Sequence, residues 1–511
     1  MNRVLLLILL SAAAHAADWL TFGGDAQRTG WARDEDSLNK DNVKSLTLLW
    51  KYATGNQAKE LNGLTAPVVA ERMFTSRGVR DIVVVAGASD NLYAIDAERG
   101  SLLWSKKFEI EGEPKQKPHW LCPNALNATP VLRKGRMGDN AVYAISSDGR
   151  LHTLNLLNGE DVKPVVQFVP PFSKNWSLSL IDGVLYTSVS QGCNGAKSGV
   201  YAMDLKDEKR PVRFWMSAPS GGGVWGRGGV AVDPKGLVIG ETGDGPYDAA
   251  AGKLTDSIFG LSQTDLKLVD YYTPANRDFI TKKDLDMGNT TPVIFPYQKW
   301  TLAAGAGKEG LIYLLDAKSL GAESHRKPLF RSPLYTNEDV DFAGRGFWGA
   351  FATCEDAKGV RWLFAPAWGP VHPKAPPFPL THGDTANGSI MAFRVETKDG
   401  SPVLSPAWIS RDLDVPEPPI VAAGVVFAIS NGENVRQLDS GGRLLNSKDR
   451  IDTAHGHAVL YAFDAETGQE LYNSGNAMAG WTHFSGLAIA GGRVFVSTFD
   501  GTVYGFGLKT D

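Results

Sequence analysis

Cysteine is scarce in this 511-residue chain, present only as Cys122, Cys193 and Cys354. None forms a CxxC pair, which excludes zinc ribbons, thioredoxin-like redox chemistry and a covalently attached c-type haem. In an oxidising compartment three cysteines imply one disulfide and one buried thiol. Cys122 and Cys193 both sit in polar loops containing Gly or Asn, which favours that pair. Excess charge of one sign is also lacking. Against 52 basic residues stand 56 acidic ones, with no basic run, so the footprint of a nucleic-acid binder is absent. Beyond the N-terminus no apolar stretch approaches the ~20 residues of a membrane span. Glycine is abundant instead, at 56 residues, about 11% against a usual ~7%. With 14 Trp, 14 Tyr and 22 Phe to fill a core, the composition suggests many short strands joined by turns.

The N-terminus has Arg3 as a charged head, an apolar run over residues 4–10, and the small-x-small site Ala14-His15-Ala16. That order predicts a secretory signal peptide over residues 1–16, because so short a run cannot span a bilayer. Residues 17–511 are then the mature chain, periplasmic or secreted, with no membrane span. No cysteine follows the apolar run to carry a lipid.

A four-residue core recurs along the rest of the chain: a large residue, a small one, an apolar one, then often Asp. It opens with Tyr93-Ala94-Ile95-Asp96, His152-Thr153-Leu154-Asn155 and Tyr201-Ala202-Met203-Asp204. Copies follow at Phe259, Tyr313 and Met391, and the series closes with Tyr461-Ala462-Phe463-Asp464 and Tyr504-Gly505-Phe506-Gly507. An apolar strand and a Gly/Asp turn precede the better copies. Behind the core, a turn such as Glu98-Arg99-Gly100 leads to an outer strand ending in an aromatic, Trp104 or Tyr472. Four antiparallel strands per repeat is the plan of a propeller blade. The last copy has no outer strand after it, whereas residues 46–53 read as an outer strand without three inner ones. The expectation is an all-β, eight-bladed β-propeller of four-stranded antiparallel blades. It forms a single domain over 17–511, closed by the N-terminal strand so that no edge stays open.

The mature opening Asp18-Trp19-Leu20-Thr21-Phe22-Gly23-Gly24-Asp25, then Asn42-Val43-Lys44-Ser45-Leu46 and Trp50, resembles that of the pyrroloquinoline-quinone (PQQ) dependent alcohol dehydrogenases. The motif Ala-x-Asp-x-x-x-Gly-x-x-x-Trp, seen in Ala94 to Trp104, is similar to their blade motif. Non-enzymatic eight-bladed scaffolds share that motif, so it carries no activity by itself.

Four segments are more specific. Gly221-Gly222-Gly223-Val224-Trp225-Gly226 resembles the family segment whose Trp floors the quinone, which implies stacking on Trp225 with close approach over Gly222 and Gly223. A structural Trp under a Gly-rich loop is the plain alternative. Glu241-Thr242-Gly243-Asp244-Gly245 resembles the segment that offers a side-chain oxygen to Ca²⁺, here Asp244, a hard donor suited to calcium. An aspartate of a glycine turn reads equally well. Asp284-Leu285-Asp286 resembles the segment of the catalytic base, with Asp286 at the base position and Asp284 two before it. A carboxylate there would take the alcohol proton, the alternative being a turn cap. Lys308, in Gly307-Lys308-Glu309-Gly310, resembles the cation that contacts the quinone oxygens and stabilises charge on the reduced ring, the alternative being an ordinary turn lysine.

Two family features are missing. An adjacent Cys-Cys pair is absent, with only Cys122 in the comparable loop, and Cys193 stands where a third-blade Glu would hold Ca²⁺. A thiol is a poor ligand for a hard cation, so calcium would rest on Asp244, Asp286, Glu241 and the cofactor's oxygens. The same two cysteines could bridge neighbouring blades near the cofactor mouth. His372, His382, His455, His457 and His483 cluster late in the chain without the tight spacing of a metal site, apart from His455-x-His457. A Pro-rich insertion over residues 370–379 could overhang the channel or pack across an outer blade surface. Arg345, Trp348 and Trp368 flank it.

The resemblance implies a periplasmic quinoprotein oxidoreductase that oxidises an alcohol-type small molecule with PQQ. Lacking a haem motif of its own, it would pass electrons to an external acceptor such as a cytochrome c. A non-catalytic propeller of the same lineage, a binding or assembly scaffold in the cell envelope, is the competing reading.

Overall fold

The computed structural model describes residues 18–509, apart from 136–137, 235 and 337–343. The signal-peptide expectation therefore lies outside the described residues. Eight sheets built on four antiparallel strands succeed one another as blades around a ring. Each sequence core is the third strand of a blade: residues 91–96, 150–155, 199–204, 258–262, 312–316, 388–398, 459–464 and 502–507. These strands are buried on both faces, which is why they read as near-continuous apolar runs rather than alternating ones.

Closure follows the expected route. Thr47–Ala53 pairs antiparallel with Thr502–Gly507, Thr47 lying opposite Gly507 and Ala53 opposite Thr502. The outer strand of the last blade thus comes from the start of the chain, and its inner strands are Leu487–Ala490 and Arg493–Ser497.

The blade motif is a lock between neighbours. The indole N–H groups of Trp50, Trp104 and Trp408 donate to the carbonyls of Ala97, Leu156 and Ala465, each 2.9 Å away in the following blade. Gly100, Gly159 and Gly468 lie flat on those three rings. A Cβ at any of them would come within 2.5 Å of a ring carbon, and each also has positive φ. Asp96 holds one such turn by accepting the Glu98 and Arg99 N–H groups. The turn of the fourth blade, Gln263-Thr264-Asp265, has no glycine, and Trp215 before it lies against Phe259 at 4.5 Å instead.

Of the two placements open to the Pro-rich insertion, the structure takes the outer one. Leu380–Thr381 runs parallel to the outer strand of the sixth blade, opposite Trp408 and Ile409. Phe378 is buried against Tyr335 and Phe393.

Candidate functional site

Backbone hydrogen bonds stitch the four singled-out segments together. Gly222 N–H donates to Asp244 O (2.6 Å), Gly243 N–H to Gly223 O (2.8 Å), Trp225 N–H to Gly288 O (3.2 Å) and Lys308 N–H to Asp286 O (3.0 Å). Glycine is needed where the strands of this junction touch. A Cβ on Gly288 would meet the Gly243 nitrogen at 2.5 Å, and one on Gly243 would stand 3.0 Å from Trp225 Nε1 and 3.3 Å from Asp286 Oδ1.

Over this junction opens a cavity of about 720 Å³, walled by Trp120, Trp176, Trp225, Trp348 and Trp368. Trp348 and Trp368 stack face to face at 4.4 Å, and Trp225 meets Trp348 edge-on at 5.6 Å. Lys308 Nζ stands 5.4 Å from the Trp225 ring centroid and 5.7 Å from that of Trp348. Flat aromatic walls with a fixed cation suit a planar, electron-poor ligand. The rim includes Leu121, Gly192 and Gly195, beside Cys122 and Cys193, which form a disulfide with Cα atoms 5.4 Å apart. Cys354 is the buried free thiol.

Lys308 joins two carboxylates, with Nζ 2.9 Å from Asp286 Oδ2 and 3.3 Å from Asp284 Oδ1. Asp286 Oδ1 also accepts the Asp244 N–H at 3.0 Å. Burial would lower the lysine, but the two carboxylates outweigh it and hold the ammonium above its ordinary range. Asp284 is pushed up to about 6, by burial first and then by the charge of Asp286. Asp244 is raised for the same two reasons. Asp256, behind them, is pushed up to about 8 by burial and then by Asp286. Of the pair on Lys308, Asp284 is the more open, with 34% of its side chain exposed against 7% for Asp286.

The residues expected from sequence divide. Trp225, Gly223, Asp244, Asp284, Asp286 and Lys308 face the cavity, with Gly222 in the backbone beneath it. Glu241 does not join them. It ends the strand Leu237–Glu241, is fully buried between blades, and accepts from the Thr290 hydroxyl. Burial drives its carboxyl well above the usual range.

The calcium set Asp244, Asp286 and Glu241 is therefore not assembled. Asp286 is bonded to Lys308, Cys193 is tied in a disulfide, and among the described residues no three acidic, His or Cys side chains form a metal shell. These residues fit a flat quinone and do not fit a divalent cation.

Sequence reasoning passed over a second polar group on the same cavity wall: Lys174, Glu433 and Arg450, to which His483 belongs. The signal was faint, since the four come from three blades. The other late histidines go elsewhere, His455 to Asp414 (3.1 Å) and His382 to the Thr467 carbonyl (2.8 Å).

Residues 19–168 match the family model described as PQQ: glucose/ethanol/alcohol dehydrogenase, beta-propeller domain. A quinate/shikimate dehydrogenase (quinone) of Acinetobacter baylyi is 25% identical over 191 residues, 35% of this chain and 22% of its own length. XoxF of Paracoccus denitrificans is 25% identical over 234 residues, 43% of this chain and 36% of its own. The matches thus span well under half of either relative. Among solved structures, a europium-containing methanol dehydrogenase has a TM-score of 0.63 at 14% identity, covering 96% of this chain and 98% of that one. A quinohemoprotein alcohol dehydrogenase from Comamonas testosteroni has a TM-score of 0.60 at 17% identity, covering 98% and 82%. At such identities the structural likeness is one of fold.

Proposed function

Starting from an eight-bladed propeller whose residues 19–168 match the PQQ dehydrogenase family model, we propose that the chain is a quinoprotein oxidoreductase acting on an alcohol-type hydroxyl. The observation that carries this reading is the convergence of Trp225, Lys308 and the Asp284/Asp286 pair on one aromatic-walled cavity. A bound PQQ supplies a two-electron acceptor; the chain supplies the rest. Trp225 offers a stacking face, with Gly223 beside it and Gly222 below giving close approach. Lys308 presents a fixed cation, worth more in this half-dry cavity than in water, against negative charge on a reduced ring. Proton acceptance from the substrate hydroxyl belongs to the carboxylates on Lys308. Asp286 is the base in this reading, held by the Asp244 N–H and by Lys308, and Asp284 is the neighbour able to share its proton.

In this reading residues 17–511 act as one domain, and electrons leave to an external acceptor of the cytochrome c type. A periplasmic or secreted location agrees with the disulfide, which an oxidising compartment maintains.

The test is direct. Purified protein is titrated with PQQ, with and without Ca²⁺, and assayed for dye-linked oxidation of an alcohol panel. Tight binding and turnover are expected, and absence of binding overturns the reading. Asp286→Asn is expected to abolish turnover with PQQ still bound. Retained activity, with loss in Asp284→Asn instead, would move the base two residues back. The unassembled calcium set favours a second reading, a non-catalytic binding propeller, which predicts no oxidation under any of these conditions.

A further inference from the structure

The second polar group in the cavity carries a cation, Lys174, that no carboxylate among the described residues pairs. Lys174 lies in the short strand Lys174–Asn175, pinned by pairing with Val189 and Ser190, and is only 4% exposed. Among the described residues its ammonium has no carboxylate partner and no hydrogen bond; it stands 5.4 Å from the Trp176 ring centroid. Arg450 comes from the helix Ser447–Asp452, far off in sequence. Its Nε donates to the Asn434 carbonyl (3.0 Å) and its Nη2 to Glu433 Oε1 (2.6 Å), which leaves Nη1 without an acceptor among the described residues.

Glu433 also accepts from His483 Nδ1 at 2.7 Å. Burial would raise this carboxyl, but His483 and Arg450 outweigh it and keep it ionised. Burial holds His483 below its ordinary value, against the pull of Glu433. Arg227, against the Phe484 ring at 4.1 Å, is paired with Glu417. Of Lys174, Arg227 and Arg450, the two arginines each meet a carboxylate, and among the described residues Lys174 is the one left over. Burial, and then the charge of Arg450, bring its ammonium down to about 8. A buried, unpaired cation is destabilising, and its persistence at a cavity wall points to an anion that arrives from outside.

We propose that the substrate carries a carboxylate that seats on Lys174 and Arg450, making this propeller a dehydrogenase of hydroxy acids rather than of neutral alcohols. Two donors on separate elements suit the two oxygens of one carboxylate, and the Trp120 and Trp176 rings beside them suit an apolar substrate body. The reaction rests on the quinoprotein reading above. The substrate carbinol becomes a carbonyl, two electrons and two protons pass to the quinone, and the carboxylate is unchanged. The subsite itself does not depend on that chemistry.

The test uses the full mature chain, with lactate and mandelate as probes and propane-1,2-diol and 1-phenylethane-1,2-diol as their neutral counterparts. Binding is followed without quinone, by tryptophan fluorescence and by shift in melting temperature. Quinone binding and kcat/KM are then measured with PQQ added. The acids are expected to bind at least ten-fold more tightly than the diols. Lys174→Met and Arg450→Gln should each remove that preference, Lys174→Arg should retain most of it, and PQQ affinity should be unchanged in Lys174→Met. Because Lys174→Met removes an unpaired buried charge, it should also melt higher than the parent.

Acids binding no better than diols would overturn the proposal. So would a Lys174→Met protein that keeps the preference and melts lower, which would make the lysine structural. Loss of PQQ affinity in Lys174→Met with the acid preference intact would overturn it as well, assigning the cation to the cofactor. A Lys174-dependent preference for acids in a protein that takes up no PQQ would uphold the subsite and overturn the quinoprotein reading.

Discussion

At the residue scale the site depends on what is left out as much as on what is present. Gly243 separates Trp225 from Asp286, and its missing side chain is part of the geometry. Gly243→Ala is expected to weaken PQQ binding at least ten-fold, read by fluorescence titration, because its methyl would press on the Trp225 indole nitrogen. Away from the cavity, His152 stacks on Phe108 at 4.0 Å, lies 3.0 Å from Ser146 Oγ, and is lowered by burial to about 4. Its unfolded value is about 6.5, so between pH 6.5 and 4 the unfolded chain binds the extra proton. Its contribution to stability is whole above pH 6.5 and drains away as pH falls towards 4. Melting temperatures recorded across that window should decline less steeply in His152→Gln than in the parent.

Legibility at this scale followed locality. Trp225, Asp244, Asp286 and Lys308 were readable because each lies in a short glycine-bearing segment, and those segments meet through main-chain hydrogen bonds. Lys174, Glu433, Arg450 and His483 were not, because no local spacing relates residues of different blades; only the ring brings them to one wall. Glu241 was misplaced because a strand end can turn its side chain towards the channel or into the seam between blades, and a turn motif does not say which.

At the scale of the element, the recurring unit is the seam between one blade and the next. The motif that identified the repeat is a contact between repeats: Trp104 belongs to the first blade, while the carbonyl and glycine it touches, Leu156 and Gly159, belong to the second. Trp104→Ala should destabilise the protein by about 3–5 kcal/mol, seen as a lowered denaturant midpoint. Gly159→Ala should also be costly, because the position has positive φ and no room for a methyl group. The same change at Gly112, also at positive φ but with nothing within 4 Å of its Cβ position, should cost less. The eight cores were legible for the same reason, since every blade must present the same surface to its neighbours. The Pro-rich insertion was not, because it answers to no neighbour in the repeat.

At the scale of the whole molecule, two long-range ties hold the ring and its opening. The Cys122–Cys193 disulfide closes a loop with a sequence separation of 71 at the rim of the cavity. A loop of that length contributes about 4 kcal/mol in the chain-entropy account. Reduction under native conditions should lower the melting temperature and loosen PQQ binding together, whereas alkylating the buried Cys354 should require prior unfolding.

The other tie is between Thr47–Ala53 and Thr502–Gly507. Its consequence lies in time rather than in space. During synthesis the opening strand emerges long before its partner, and at about 5–20 residues per second it waits unpaired for roughly 20 to 90 seconds. Every earlier blade can form while the last remains one strand short, so the ring is sealed only when Thr502–Gly507 arrives.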